Sequence, residues 1–240
     1  MHRVIEEEPA PPQPYPVRVI DDHELFSATL TMALRNEGLD ARQLPVADVY
    51  DFVSEPLTDR VGLVVLDLDL DRDADGHYVH GADLVKGLRA AGWKVLVVSG
   101  GMDQRGTASA IAAGAIGTVP KSRSFDVLLS TVLIAAGGLP VMSEAEHQDW
   151  LERHFQYQAQ ERELSRRLSR LSHREREVLE LLAGGMRAAA IAEHFVVSMP
   201  TVRSQIRSLL AKLDVGSQLE AVALLRQAPT RTSTQDEAPR

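Results

Sequence analysis

The chain has 240 residues, of which 44% are hydrophobic and 25% charged, and it contains no cysteine. This is an ordinary soluble composition, long enough for two hydrophobic cores, and it excludes disulfides, thiolate zinc sites and cysteine nucleophiles. The formal net charge of -8 argues against a nucleic-acid partner for the chain as a whole; residues 162 to 228, however, carry eleven Lys and Arg against seven Asp and Glu, and the remainder fifteen against twenty-seven, so a modestly basic module follows an acidic body.

Residues 1 to 16 begin with Glu6, Glu7 and Glu8 and continue with Pro9, Pro11, Pro12, Pro14 and Pro16. That density of proline predicts a disordered or extended tail. The segment lacks the basic and then apolar regions of a secretory signal, so a cytoplasmic location is expected. From residue 17 to about 137, short β-branched runs alternate with helical segments: Val17–Ile20, Leu39–Leu44, Val61–Leu66, Lys94–Val98 and Ile116–Val119. Near-continuous apolar strands separated by helices require a parallel sheet covered on both faces. The expected fold is therefore α/β, a flavodoxin-like doubly wound (βα)5 domain over residues 17 to 142, with ligands beyond the carboxyl ends of its strands. The longest apolar stretch, Val127 to Met142, is interrupted by Ser130, Thr131, Gly137, Gly138 and Pro140, and no membrane span is expected.

The rest reads as helix. Ser143 with Glu146 fits a capping box, and Glu144 to about Arg170 contains no Gly or Pro, which predicts a helical linker over residues 143 to 170. Its stripe of Trp150, His154, Tyr157, Glu161, Leu164, Leu168 and Leu171 is a degraded heptad, and packing on its own domains is favoured over an intermolecular coiled coil. Ser172 with Glu175 repeats the capping box, and Gly184-Gly185 closes that helix. Helices follow around Ala188 to His194, from Ser198 to Leu213, and over residues 217 to 226, giving an all-α domain over residues 171 to 228. Residues 229 to 240 are polar and expected to be disordered.

Chemistry concentrates at the strand ends. Asp21 and Asp22 follow the first strand, Asp67 ends the third, Ser99 ends the fourth and Lys121 follows the fifth, so the topology predicts that all five meet at one edge of the sheet. Adjacent carboxylates repel unless a hard cation neutralises them, and Mg²⁺ is the natural candidate. A carboxylate nucleophile, a metal, a hydroxyl donor and a lysine together make a phosphoryl-transfer site. Each of these residues alone is an ordinary cap or solvated charge. The ordered placement is the specific signal.

The segments Val17-Arg-Val-Ile-Asp-Asp-His, Val64-Val-Leu-Asp-Leu, Val95-Leu-Val-Val-Ser and Ala113-Gly-Ala-Ile-Gly-Thr-Val-Pro-Lys121 resemble the receiver domains of two-component response regulators. The resemblance covers about residues 17 to 140 and implies Asp67 as phosphoacceptor, Asp21 and Asp22 as metal-binding acids, and the backbone carbonyl of Asp69 as a further metal ligand. It also implies Ser99 as the phosphoryl-sensing hydroxyl and Lys121 as the phosphoryl partner. Two positions depart from the family pattern. Thr118 stands where receivers usually have an aromatic residue, and Asp69-Leu-Asp71-Arg-Asp73-Ala-Asp75-Gly76 replaces a short Met-Pro-containing loop.

Other readings of these residues are weaker. Asp71-x-Asp73-x-Asp75-Gly76 matches the start of an EF-hand loop, but its twelfth position is Ala82 and a strand precedes it, which favours a solvated acidic loop. His77 and His80 lie beside these acids without a defined third ligand and are read as exposed loop residues. Val64-Val-Leu-Asp67-Leu-Asp69 also resembles the first motif of haloacid-dehalogenase-type phosphatases. Those enzymes need an acidic pair after the lysine, whereas this pair precedes the nucleophile, and no enzymatic activity is expected.

Leu171-Ser-His-Arg-Glu-Arg-Glu-Val-Leu, Ile191-Ala-Glu-His-Phe and Ser198-Met-Pro-Thr-Val-Arg-Ser-Gln-Ile-Arg-Ser-Leu-Leu-Ala-Lys-Leu213 resemble the helix-turn-helix of the LuxR/NarL family. The helix from Ser198 puts Val202, Ile206, Leu209, Leu210 and Leu213 on a buried stripe and leaves Arg203, Ser204, Arg207 and Lys212 outside it, as a recognition helix requires. With Thr201 these form the candidate DNA-binding set, and Lys212, near the far end, is expected on phosphate. The family's usual Asn in the preceding turn is Ala188 here. The stripe Leu219, Val222, Ala223 and Leu225 either mediates dimerisation, as the resemblance implies, or serves the core. The resemblance implies a DNA-binding transcriptional response regulator controlled by phosphorylation of Asp67, partnered by a sensor histidine kinase, forming a homodimer when active and binding an inverted-repeat operator on double-stranded DNA. The alternative is a phosphorylation-independent DNA-binding regulator whose receiver is a dimerisation scaffold.

Overall fold

A computed structural model describes residues 14–54, 62–72, 78–100 and 103–227. It separates between His154 and Phe155 into two compact units. In the first, β1 (Pro16–Ile20), α1 (Glu24–Asn36) and β2 (Asp40–Gln43) lead through a 3₁₀ turn (Val46–Asp48) to α2 (Val49–Ser54) and β3 (Leu63–Asp67). Then come β4 (Asp69–Arg72), β5 (Tyr78–His80), α3 (Gly81–Ala90), β6 (Lys94–Ser99), α4 (Gln104–Ala112), β7 (Gly117–Pro120) and α5 (Phe125–Ala136). The expected N-terminal tail lies outside the described residues except at its end, where Pro16 opens β1; the first position of a strand tolerates proline because no ladder donor is needed there. The tail at 229 to 240 also lies outside them.

The main sheet is parallel throughout, in the order β2-β1-β3-β6-β7. Strand order therefore reverses between β1 and β3, and a doubly wound sheet opens its ligand crevice at that point. The central strands are apolar through their interiors, Leu63 to Leu66 in β3 and Val95 to Val98 in β6, because both faces are covered. Leu63, Val65, Leu96 and Val98 pack with Leu30 and Leu34 of α1 and Leu128, Val132 and Ala135 of α5. Val64, Leu66, Val95 and Val97 pack on the opposite face with Leu84, Val85 and Leu88 of α3 and Ala110 and Ile111 of α4.

Over Asp69 to Arg72 the structure corrects the expectation of an acidic loop. Asp69–Arg72 and Tyr78–His80 pair as an antiparallel two-stranded ladder, with Asp69 opposite His80 and Arg72 opposite Tyr78. The physical reason is alternation: Leu66, Leu68 and Leu70 are all buried in one core with Val79, while Asp69 is exposed. The ladder ends where the Gly81 N–H donates to the Leu68 carbonyl at 2.9 Å. Gly81 is required there, because a Cβ would overlap the Asp67 carbonyl oxygen. His80 is half-buried rather than exposed, with Nε2 3.2 Å from Oδ2 of Asp103, the residue whose Oδ1 caps α4 by accepting from the Gly106 N–H at 2.8 Å. Asp73, Asp75, Gly76 and His77 lie outside the described residues.

Helix α6 (Glu144–Ser169) follows, and the second unit adds α7 (His173–Ala183), α8 (Ala188–Phe195), α9 (Met199–Leu213) and α10 (Gln218–Gln227). The two ends of the α6 stripe serve separate cores: Trp150 packs against the core that includes Leu84, Val85 and Ile111, whereas Leu164 and Leu168 join the core of the second unit. That second core is built from Leu171, Val178, Leu179, Ile191, Val202, Ile206, Leu209, Leu213 and Ala221. In α10, Val222, Leu224 and Leu225 also turn toward it, while Leu219 is 80% exposed. Helix α7 starts with the reciprocal capping box of Ser172 and Glu175, and α9 with the Ser198 side chain accepting from the Thr201 N–H.

The turn between α8 and α9 is made by Val196, which is left-handed at φ 53° and 91% exposed. A β-branched residue is a poor choice there, because its Cβ crowds the carbonyl in that conformation. Having no packing to lose, Val196→Asn is expected to raise stability by about 1 kcal/mol, measured as a higher thermal midpoint.

Candidate functional site

The acid site forms where β1, β3, β6 and β7 end. Asp67 is 1% exposed and Asp21 has a side chain only 2% exposed, yet both are carboxylates. They are held together by Lys121, whose Nζ lies 2.7 Å from Asp67 Oδ2 and 2.8 Å from Asp21 Oδ2. The lysine is delivered by β7: its N–H donates to the Ser99 carbonyl at 2.7 Å, tying the ends of β6 and β7. Its ammonium also lies 5.1 Å from the centre of the Phe26 ring in α1, a contact that shields the ion pair on one side.

Asp22 and His23 complete the cluster. The His23 N–H donates to Asp21 Oδ1 at 2.8 Å, and its Nδ1 is 2.6 Å from Asp22 Oδ1. Donor atoms of Asp21, Asp22, His23 and Asp67 all fall within 4.8 Å of one another. The structure thus brings Asp21, Asp22, Asp67 and Lys121 into one site and places Ser99, buried, on the adjoining strand end. The Asp69 backbone N–H donates to Asp67 Oδ1 at 3.3 Å, while its side chain is exposed.

Burial pushes the Asp67 carboxyl above its ordinary value and the Asp21 charge adds to this, against the opposing hydrogen bond from Lys121. For Lys121, burial acts downward, but hydrogen bonds to Asp21 and Asp67 outweigh it and raise the ammonium. One ammonium for two buried carboxylates and an adjacent third leaves a negative surplus. The donor set of hard carboxylate oxygens fits a small divalent cation, which would remove that surplus.

The second site lies on α9. Arg203, Ser204 and Arg207 are exposed, opposite the buried Val202, Ile206 and Leu209. Thr201 is also exposed, but its hydroxyl is 2.8 Å from the Ser198 hydroxyl, so it belongs to the cap. Lys212 has a partner on another helix. Its Nζ is 2.6 Å from Oε2 of Glu175 in α7, whose other oxygen accepts from Ser208 at 2.7 Å and which is 6% exposed. An ammonium paired with a buried carboxylate is a strut between α7 and α9, and the Lys212 side chain is still 39% exposed, so two of its three donors stay open to a phosphate. Another such tie holds α7 to α8, with the Arg174 guanidinium 3.4 Å from the centre of the Phe195 ring.

Neither Glu175 in its hub nor His23 in the acid cluster was anticipated. His23 could have been suspected from its place next to the acid pair. Glu175 was visible only as a capping residue, since its partner lies 37 positions away.

Comparison with known proteins fits this geometry. The model of the response regulator receiver domain matches residues 17–133, and that of bacterial regulatory proteins of the luxR family matches residues 169–225. The chain is 31% identical over 217 residues to the nitrate/nitrite response regulator protein NarP of Escherichia coli, across 89% of this chain and 95% of that protein. The chain belongs to the LuxR/NarL-type response regulators. A nitrate/nitrite response regulator protein homolog of Haemophilus influenzae is 30% identical, across 87% of this chain and 94% of that protein. Transcriptional regulatory protein FixJ of Azorhizobium caulinodans is 29% identical, across 89% and 92% respectively. This response regulator therefore joins a receiver to a DNA-binding helix-turn-helix, and its relatives are regulators of transcription. Among the described residues no helix is long and apolar enough to cross a membrane.

In this regulator Glu175 titrates against the fold. Burial acts upward on its carboxyl, but hydrogen bonds from Lys212, Ser208 and Ser172 prevail and hold it at about 2, below its ordinary 4.5. A depressed carboxylate stabilises the native state above its unfolded value and loses that contribution as pH falls through its folded value. Lys212→Ala is expected to lower stability by about 2 kcal/mol at neutral pH, with the deficit shrinking between pH 4.5 and about 2. Denaturant titrations of wild type and variant across that range measure it.

Proposed function

We infer that this regulator is switched by phosphorylation of Asp67. The observation that carries the reading is the buried Asp67 carboxylate at the crevice of the sheet, 2.7 Å from an ammonium that it shares with a second acid. A carboxylate oxygen of Asp67 attacks phosphorus of a phosphohistidine on a sensor histidine kinase, or of a small acyl phosphate. The bond from phosphorus to the donor nitrogen or oxygen breaks, and the donor leaves with that electron pair. Asp21, Asp22, Asp67 and the Asp69 carbonyl would hold Mg²⁺, which supplies positive charge for the phosphoryl oxygens. Lys121 exchanges its contact with the Asp67 carboxylate for one with a phosphoryl oxygen, and Ser99 donates its hydroxyl to another. The charge change at the strand ends then biases the regulator toward a state competent for DNA as a homodimer.

Residues 17 to 142 act as receiver, 143 to 170 as linker and 171 to 228 as the DNA-binding domain, and the protein works in the cytoplasm. Arg203 and Arg207, one helical turn apart, reach base edges in one major groove, and a two-fold dimer prefers an inverted repeat. Thr201 and Ser204 flank them toward the backbone of the duplex.

With acetyl phosphate and Mg²⁺, the wild type is expected to gain one acid-labile phosphoryl group by mass, and Asp67→Asn none. Equal labelling of the variant refutes the assignment. Phosphorylation-independent regulation predicts instead that Asp67→Asn leaves DNA affinity unchanged in the presence of the donor. On a cognate duplex, Arg203→Ala or Arg207→Ala is expected to cost about 1–3 kcal/mol and to relax preference at one base. Salt-titrated binding to cognate and scrambled duplexes checks this, and intact affinity and preference in both variants refute the helix face.

A further inference from the structure

We propose that the cleft between α1 and the edge strand β2 binds a small organic oxyanion, a phosphate or carboxylate head carried on a short apolar body. The cleft encloses about 500 Å³ and is lined by Ala28, Thr31, Met32, Arg35, Arg42 and Gln43. It includes none of the acid-site residues, and it lies along the outer edge of the sheet beside β2.

Thr31 is the informative residue. It is 4% exposed, and its hydroxyl is buried with neither donor nor acceptor. Elsewhere in the same helix, Ser27 and Thr29 donate to the carbonyls of Glu24 and Leu25 at 3.1 and 2.7 Å, the usual way for a helical hydroxyl to be satisfied. A buried hydroxyl left alone is unfavourable, and since Thr31 lines the cleft, rotation about its Cα–Cβ bond would turn the hydroxyl toward a ligand oxygen and satisfy it.

Two guanidiniums flank it. Arg35 donates from Nε to the Ala41 carbonyl at 2.7 Å, which fixes the side chain across the edge of β2. Arg42 donates from Nε to Asp40 at 3.1 Å, but Asp40 also faces Arg18 at 3.4 Å, so one carboxylate serves two cations and Arg35 has none among the described residues. The terminal nitrogens of Arg35 and Arg42 carry no hydrogen bond among the described residues. Planar forks of this kind match oxyanions. Gln43, donating to Ser27 at 3.2 Å, closes one end of the cleft, and Met32, 63% exposed one turn from Ala28, supplies an apolar wall. Protection of a sheet edge accounts for the Arg35 contact with Ala41. It leaves the Thr31 hydroxyl unexplained.

The test is a titration of the full chain with phenyl phosphate, with benzoate and with inorganic phosphate, followed by amide chemical shifts and calorimetry. Saturable shifts are expected at residues 28 to 35 and 41 to 43, with the stronger of the two aromatic probes identifying the head group and inorganic phosphate binding more weakly than either. Arg42→Ala and Thr31→Val are each expected to weaken binding about tenfold or more. Thr31→Val should fold at least as stably as wild type, since it removes an unsatisfied hydroxyl, and Arg42→Ala should still be phosphorylated by acetyl phosphate. Any of three results overturns the proposal: no saturable shift with either aromatic probe at millimolar concentration, unchanged affinity in both variants, or shifts confined to residues 21 to 23, 67 and 121.

Discussion

Two buried carboxylates, Asp21 and Asp67, share the single ammonium of Lys121. Without that ammonium the ends of β1 and β3 would hold two like charges in a poorly solvated crevice, a penalty that the surrounding aliphatic core cannot relieve. The topology makes the sharing possible. Strand order reverses between β1 and β3, which puts the two acids on neighbouring strand ends, and β7 carries the lysine back across β6 by bonding its backbone to Ser99. The same arrangement leaves the site short of positive charge. On the proposed function this shortage is the working principle, since an added cation and a phosphoryl group together change the charge at the one place where four strands and α1 converge.

The helical domain has a comparable centre. Glu175 caps α7, accepts from Ser208 and pairs with Lys212, so one buried carboxylate joins the start of α7 to the last turns of α9. With the core stripe of Val202, Ile206 and Leu209, it fixes the rotation of α9 about its own axis. That rotation decides which side chains are presented outward, and it leaves Arg203 and Arg207 on the free face.

The legible parts of this protein were those encoded by local pattern. Runs such as Leu63–Asp67 and Lys94–Ser99 read as buried parallel strands because both faces are covered, and acids at their ends were therefore placed correctly without any knowledge of contacts. The caps at Ser172 and Ser198 were visible from residue type and spacing alone. The bond from Lys212 to Glu175 is invisible in the sequence, because Lys212 does fall outside the apolar stripe of α9 and helical periodicity contains nothing about a carboxylate on another helix. The α10 stripe is ambiguous in the sequence for the same reason, since only packing shows Val222 and Leu225 turned inward and Leu219 outward.

The segment after Asp67 illustrates a signal that was present and outweighed. Leu66-Asp67-Leu68-Asp69-Leu70 alternates with period two, which is the pattern of a strand with one dry face. Composition argued for a loop, because aspartates are poor strand formers and their spacing imitates a calcium-binding turn. Burial decides the conflict: each leucine of the series is at most 1% exposed, and the gain from covering three such side chains exceeds a propensity difference of about 1 kcal/mol. The alternation has a further consequence for the acid site. Because Leu68 and Leu70 are locked into the core below α3, the chain cannot rotate about Asp67 without exposing them, so the carboxylate is held on the crevice side by residues that never touch it. Gly81 completes the constraint by letting α3 begin directly against the Asp67 carbonyl, where any side chain would push the strand end away. The position of the nucleophile is thus fixed by aliphatic packing on one side and by charge on the other, and neither alone would suffice.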